Sequence, residues 1–462
     1  MIDPETLLDY AMGGAIMAPF TAFFILGALW LLGRSTSERS ASTIVNLALK
    51  TSLGCSVVVV YALSRLRFAP TRVDLGDWFR IDDYGFRLDF LADWLSATMM
   101  TLVSTITVLV GRFSVNYLHR ERGFFRFFTL LSVFAGAMLL LVTAGSFDLL
   151  FAGWEMVGLT SILLVAFFHE RSGPTRAAIR VMMVYRICDV GLLIGAAMLH
   201  HHTNTSLFAE LRTSPAVQHL GGFYSSLVGL CFLAAAAGKS ALFPMGGWLP
   251  RAMEGPTASS ALFYASLSVH AGVYLLLRAE PLIEHAPAAR LAMVGVGALT
   301  AVHATMIART QTDAKSRLAY AAMTQVGVMV IEVALGFNRL AALHLVTHAL
   351  LRGYQMLLAP SSIHYQRWMM TAHGDEPLPS LSIFGGRLAP ATERAWYRLA
   401  LDRFHVDVVF EQWLGRAFLR LGASLDKLEL RTVKAVARTV ARGRAVDTQD
   451  TSAPPARPTE AP

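Results

Sequence analysis

Eleven mostly apolar runs recur along the chain, at about 11–33, 43–63, 89–111, 127–144, 147–168, 180–199, 223–243, 257–277, 289–308, 315–336 and 339–359. Each is close to the length of about 20 residues that carries a helix across the hydrocarbon of a bilayer. The pattern predicts an all-α polytopic membrane protein of about 11 transmembrane helices. The first run follows Asp3, Glu5 and Asp9 rather than a basic leader, so it is expected to be a retained helix and not a cleaved signal. After Ser361 the pattern changes. Pro377 and Pro379 lie close together, and then Trp396, Leu399, Phe404, Val408, Phe410, Trp413, Phe418 and Leu421 alternate with arginines and acids over about 392–440. That stretch predicts a C-terminal amphipathic helix on the membrane surface or against a partner. The end, AVDTQDTSAPPARPTEAP, has the composition of a disordered tail.

Composition narrows the function classes. Only 16% of the residues are charged and 54% are hydrophobic, whereas soluble domains carry about 25% charged residues. Cys55, Cys188 and Cys231 sit in apolar runs without a Cys-x-x-Cys spacing, which removes iron–sulfur ligation and a disulfide framework. No glycine-rich phosphate loop follows a strand, so nucleotide binding has no support. The net charge of +8 is explained by arginine-rich loops on one side of a membrane rather than by nucleic-acid binding. Arg34 and Arg39, the segment from Arg112 to Arg126, Arg171, Arg176 and Arg180, and Arg309 with Arg317 follow runs one, three, five and nine. They mark one face as cytoplasmic and put the N-terminus outside and the basic C-terminal segment inside. The His200–His202 run reads as a solvated helix end.

Ionisable groups within the runs point to a site. Lys239 lies in an apolar run, with Pro244, Pro250 and Pro256 just beyond it. A lysine within a span is costly and is a functional-site candidate by default; the alternative is that it snorkels to an interface beside an ordinary loop. The prolines remove backbone donors, so broken helices that face protein or water are expected here. Glu155 sits in mid-run beside Trp154, either paired with a cation or protonated and hydrogen-bonded. Arg186 and Asp189 are spaced i, i+3 and share a helix face. His344, His348 and Arg352, at i, i+4 and i+8, share another. His303 reads as a core histidine.

These segments carry a resemblance. GKSALFP, WLPRAMEGPT, SAL and AGVYLLLR resemble the antiporter-like, proton-translocating membrane subunits of respiratory complex I, closest to subunit L (subunit 5). Relatives in that family include sodium/proton antiporter subunits and the membrane subunit of DAB-type inorganic-carbon complexes. WE-x-x-GL-x-S, R-x-x-D-x-G, TD-x-K-x-x-LAY and HL-x-THA match as well. The resemblance implies that Lys239 is the proton-carrying lysine, Glu155 its partner at the channel entrance, and Lys315 the next relay lysine. Arg186, Asp189, His270, His344, His348 and Arg352 would support them. Neutral histidine titrates near physiological pH and suits such a relay. Arg352 stands where the family has a lysine, and arginine cannot pass a proton on. Tyr264 stands where the family has a histidine, and His270 lies six positions further along.

The resemblance covers about 85–365, which divides the chain into N-terminal helices with an outer loop (1–84), an antiporter-like core (85–365), an interfacial helical segment (366–445) and a tail (446–462). It implies a proton-translocating subunit of the inner membrane resembling NADH-quinone oxidoreductase subunit L. No redox centre, cofactor or metal is expected in this chain. Its partners would be other membrane subunits or a soluble protein, protons and the bilayer. The alternatives are a membrane subunit of an inorganic-carbon transporter driven by the cation gradient, and a non-conducting scaffold.

Overall fold

The computed structural model describes residues 3–34, 36–81, 84–359, 383–384, 387–410, 412 and 416–450. The chain forms two compact units, Met1–Phe404 and His405–Pro462. Among the described residues of the first, ten helices are long and apolar enough to cross a membrane. They are α1 (Pro4–Leu31), α2 (Glu38–Arg65), α3 (Trp94–Tyr117), α4 (Phe124–Thr143), α5 (Phe147–Val165), α6 (Ser172–Thr203), α7 (Gly221–Lys239), α8 (Thr257–Arg278), α9 (Pro287–Ala308) and α10 (Ala314–Ala334). An eleventh, α11 (Asn338–Leu358), has the length to span but carries Arg339, His344, His348 and Arg352. The eleven helices correspond one to one with the eleven apolar runs. Starts are set locally: the side chains of Asp3, Ser37, Asp93, Ser146 and Asp313 each accept a backbone N–H in the first turn, which is what small polar residues do at an N-cap.

Burial sorts the helices into layers. The most apolar part of α8 is wholly buried, whereas the corresponding parts of α1, α2 and α9 are only 28% buried. The broken helix is therefore the centre of the bundle, and α1, α2 and α9 form its rim.

One segment differs from expectation. In place of an outer loop, Thr71–Ile81 (β1) and Tyr84–Ala92 (β2) pair antiparallel, and α3 starts at Trp94 rather than near residue 89. Phe86, Leu88 and Phe90 repeat every second residue, the period of a strand, so the apolar run extends past the true helix start. Ala144 bridges to Phe90, and the Gly145 amide donates to the Asp89 carbonyl at 2.7 Å. A β-carbon at Gly145 would lie 2.1 Å from the Asp89 carboxylate, so only glycine allows this approach.

The end of α8 is tied to the start of α3. Arg278 donates two hydrogen bonds to the Asp93 carboxylate, at 2.5 and 3.0 Å, and a third to Tyr274 Oη at 2.8 Å. Tyr274 in turn donates to the Val142 carbonyl of α4 at 2.6 Å. The guanidinium and the carboxylate are both buried.

Of the predicted interfacial segment, residues 366–382 and Trp413 lie outside the described residues. The described remainder holds three helices rather than one, the shortest being Val406–Phe410. Pro390–Leu401 (α12) belongs to the first unit, and the Ile383 carbonyl beside it accepts a bond from Arg309 at the end of α9. His303, read as a core histidine, lies between the rings of Phe243 and Phe404, at 5.4 and 5.3 Å. In the second unit Arg416–Asp450 (α13) has exposed Leu421, Leu425 and Leu428 beside a stripe of Arg420, Lys427, Arg431 and Lys434. It runs into the predicted tail as far as Asp450; residues 451–462 lie outside the described residues.

Candidate functional site

The centre of the bundle is built on two interrupted helices. α7 stops at Lys239, and the chain then runs through short 3-10 turns at Met245–Trp248 and Arg251–Glu254. The polar groups freed by the break find partners inside the protein, as they must in lipid. Trp248 Nε1 donates to the Gly238 carbonyl at 3.0 Å, and the Phe243 amide donates to Thr300 Oγ1 at 2.8 Å. The second interruption is a π-wound turn at Ala261–Ser266 in α8, followed by a 3-10 turn at Ser268–His270. Such turns concentrate where helices carry function. Here the ring of His270, through Nδ1, takes up the Ser266 carbonyl at 2.7 Å, while its amide turns to Leu267.

Lys239 has no exposed surface. Its ammonium donates to the Trp154 carbonyl at 3.0 Å and sits 4.3 Å from the ring centre of Tyr185 and 4.8 Å from that of Trp154. Ring faces attract a desolvated cation. The charges acting on it are Asp189, Glu155 and Arg186. Trp154 Nε1 donates to Asp189 Oδ1 at 2.6 Å, leaving Asp189 Oδ2 buried without a hydrogen bond. Glu155 forms an ion pair with Arg186 across α5 and α6. Arg186 and Asp189, one helix face in the sequence, therefore do not pair with each other. Tertiary neighbours separate them: Asp189 turns to the buried lysine and Trp154, and Arg186, 40% exposed, turns to Glu155 at the edge of the bundle.

A second group lies on α8 and α11. His270 Nε2 and His348 Nδ1 are 2.9 Å apart, and Arg352 Nε lies 3.4 Å from His348 Nε2. With Nδ1 of His270 bonded to a carbonyl, its Nε2 is the acceptor. His348 then donates from Nδ1, and its Nε2 accepts from Arg352. The order of donation is fixed from Arg352 through His348 and His270 to Ser266, with both rings neutral. His344 stands one turn before His348 on α11: its Nδ1 lies 3.0 Å from Glu332 and its Nε2 3.1 Å from Gln325.

Between the two groups lies a set of buried hydroxyls. The Tyr185 hydroxyl faces Ser268, yet neither oxygen has a partner with hydrogen-bond geometry, and the same holds for Ser240 and Tyr264. Ser240 follows Lys239 and packs on Gly272, where a β-carbon would lie 2.3 Å from its hydroxyl. Ser268 precedes His270 by two residues. Orphaned buried polar groups of this kind are sites for bound water.

Lys315 is the outlier among the predicted residues. It stands half-buried in the first turn of α10, where Nζ donates to Oγ1 of Thr257, the first residue of α8, at 2.8 Å and Tyr117 shares the same hydroxyl at 3.0 Å. No direct contact among the described residues joins it to Lys239 or to the histidines. Glu332 was missed by sequence reasoning, although a carboxylate in the run VMVIEVALGF is the same signal that singled out Glu155. Tyr185, Trp154 and Gln325 carry no such signal, since they acquire importance only through what they touch.

The model of the NADH:quinone oxidoreductase/Mrp antiporter transmembrane family matches residues 144–375, and that of the complex I chain 5 N-terminus matches 78–128. The chain belongs to the NADH:quinone oxidoreductase/Mrp antiporter family. It is 36% identical over 342 residues to NADH-ubiquinone oxidoreductase chain 5 of Metridium senile, which covers 74% of this chain and 56% of that protein. It is 32% identical over 358 residues to NADH-quinone oxidoreductase subunit L of Neisseria meningitidis, covering 75% and 53% respectively. The chain thus spans about half the length of the curated relatives it matches. In fold it resembles a chain of the Mrp complex from Dietzia sp., with a TM-score of 0.64 and 24% identity over 88% of this chain and 47% of that one. Like other members of the antiporter family, it is a multi-pass membrane protein.

The lysine pocket yields a first prediction. A β-carbon on Gly158 would lie 2.9 Å from Lys239 Nζ. The end of a lysine yields easily, so Gly158→Ala is expected to insert and fold normally. Displacing the ammonium from Trp154 and Tyr185 is expected to slow any proton transfer that uses Lys239 on the order of 10- to 100-fold. Dye quenching in membrane vesicles, set against the amount of protein in the membrane, checks this.

Proposed function

We propose that the chain is a proton-translocating membrane subunit, with Lys239 as the group that changes charge and Glu155 as its switchable partner. The observation that carries this reading is the wholly buried ammonium next to orphaned hydroxyls that lead to the His270–His348 pair. A scaffold would gain nothing from leaving Asp189 Oδ2, Tyr185, Ser240, Tyr264 and Ser268 without partners.

The arrangement supplies both halves of a switch. When Arg186 holds Glu155, as here, the carboxylate is engaged at the edge of the bundle. If that ion pair opens, Glu155 is free to face Lys239 at the end of α7. Burial disfavours a charged lysine in general and a nearby carboxylate favours it, so moving one carboxylate changes the proton affinity of the amine. A change of two pKa units is about 2.7 kcal/mol, comparable with the roughly 2.3 kcal/mol that one proton gains across 100 mV. The proton would pass by way of water held at Tyr185, Ser240 and Ser268 to the histidines. Receiving it requires one bond of the histidine pair to open, since both ring lone pairs are occupied.

The partner implied is a multi-subunit membrane complex of the quinone-oxidoreductase or Mrp type, for which subunit L, chain 5 and the Mrp complex are the precedents among relatives. The arginine-rich face would be cytoplasmic and the N-terminus outside, in a bacterial inner membrane. Lys315, in the first turn of α10, would serve the cytoplasmic mouth.

Glu155→Gln tests the switch. It is expected to keep the chain in the membrane, to leave Arg186 unpaired, and to reduce proton-coupled activity on the order of 100-fold. Activity equal to that of the unaltered protein in vesicles of matched content would remove Glu155 from the mechanism.

A further inference from the structure

Far from Lys239, at the rim of the bundle, α2 and α3 enclose a cleft of about 630 Å3. Arg39, Lys50 and Arg112 line it together with Asn46 and Asn116. All three cations are exposed, and none forms an ion pair among the described residues. The one carboxylate of the cleft, Glu38, is already engaged: it pairs with His119 at 2.8 Å and accepts the Arg120 amide at 3.0 Å. The cleft therefore presents uncompensated positive charge.

Its depth is informative. Lys50 is twelve residues into α2, about 18 Å from the helix start. Gly111 packs against Asn46 and Leu49, where a β-carbon would lie 2.8 and 3.0 Å away, and this brings Arg112 to the depth of Asn46, about one turn from Lys50. Leu47, Val57 and Tyr61 continue the same outward face of α2, exposed at 64, 56 and 57%. Leu47 thus stands among the cations, and beyond Lys50 the face continues as an apolar track through Val57 and Tyr61.

We propose that this cleft binds the phosphodiester headgroup of an anionic phospholipid through Arg39, Lys50 and Arg112, with an acyl chain along Leu47, Val57 and Tyr61. A lysine facing outward within a span is costly unless an anion meets it. Basic pockets between spans on the arginine-rich side suit acidic headgroups, and guanidinium groups match phosphate oxygens in pairs. An acidic protein partner would have to bring its own carboxylate to this depth at a similar cost. The lipid arrives with its charge and its chains already at matching heights.

The test uses the full chain in detergent, with phosphatidylglycerol or phosphatidylcholine of the same acyl chains added and retention read by native mass spectrometry. Phosphatidylglycerol is expected to be retained preferentially. The triple variant Arg39→Gln, Lys50→Gln, Arg112→Gln is expected to lower its retention at least about tenfold, while Lys50→Arg keeps it. Inorganic phosphate in excess is expected not to displace the lipid. Equal retention of the two lipids, unchanged retention in the triple variant, or displacement by inorganic phosphate overturns the proposal. So does a photo-cross-linker at Leu47 that captures a protein rather than lipid in native membranes.

Discussion

Lys239→Ala is expected to abolish proton-coupled activity while the protein still assembles in the membrane. The ammonium is wholly buried and held by the Trp154 carbonyl and two ring faces, so no neighbouring amine can take its place. Loss of a proton-transferring group costs on the order of 100-fold or more, and alanine offers no substitute. Lys239→Arg separates charge from proton transfer. Arginine preserves the positive charge near Asp189 but stays protonated, so it too is expected to be inactive. Proton uptake measured by dye quenching in inverted vesicles, with membrane content determined in parallel, distinguishes the outcomes. If the alanine variant couples as the unaltered protein does, the amine is structural and the transport reading fails.

The largest effect on stability is expected at Asp93→Ala. Asp93 caps α3 and receives two bonds from Arg278. Removing one partner of a buried ion pair leaves the other uncompensated and typically costs about 3–5 kcal/mol. The Arg278 guanidinium would be left with the Tyr274 hydroxyl alone of these two partners. Burial pushes the Asp93 carboxyl up, but Arg278 and Ser96 outweigh it and hold the carboxyl below the usual carboxylate range. A carboxylate depressed in the folded state contributes stability that is complete above its unfolded pKa, about 3.9, and is lost as pH falls through the folded value. The alanine variant is therefore expected to unfold at lower temperature at neutral pH. The gap to the unaltered protein should narrow only under strongly acid conditions. Thermal unfolding in detergent at several pH values reads both effects, and an unchanged midpoint at neutral pH would show that the clamp contributes nothing.

A membrane sequence speaks clearly where lipid imposes a local rule. Each of the eleven apolar runs coincides with a helix, because crossing lipid demands about 20 mostly apolar residues in succession. The break after Lys239 was equally legible, since Pro244, Pro250 and Pro256 remove the donors that a continued helix needs. Misreadings arose where one apolar stretch served two structures. Phe90 and Leu91 look like the start of a span but finish a strand, and the hydropathy of a buried strand end is that of a helix. Glu332 was overlooked although it carries the same signal as Glu155, an acid inside a span.

Taken by itself, the sequence determined the number and order of the spanning helices, the break after Lys239, and most of the ionisable groups that would lie within the spans, because each follows from local composition and spacing. Only the tertiary structure decided how those groups are paired. It separated Arg186 from Asp189, joined Glu155 to Arg186, seated Lys239 between Trp154 and Tyr185, set His270 against His348 and turned Lys315 to Thr257. Such partners lie on different helices, and the packing of their surfaces fixes which groups meet.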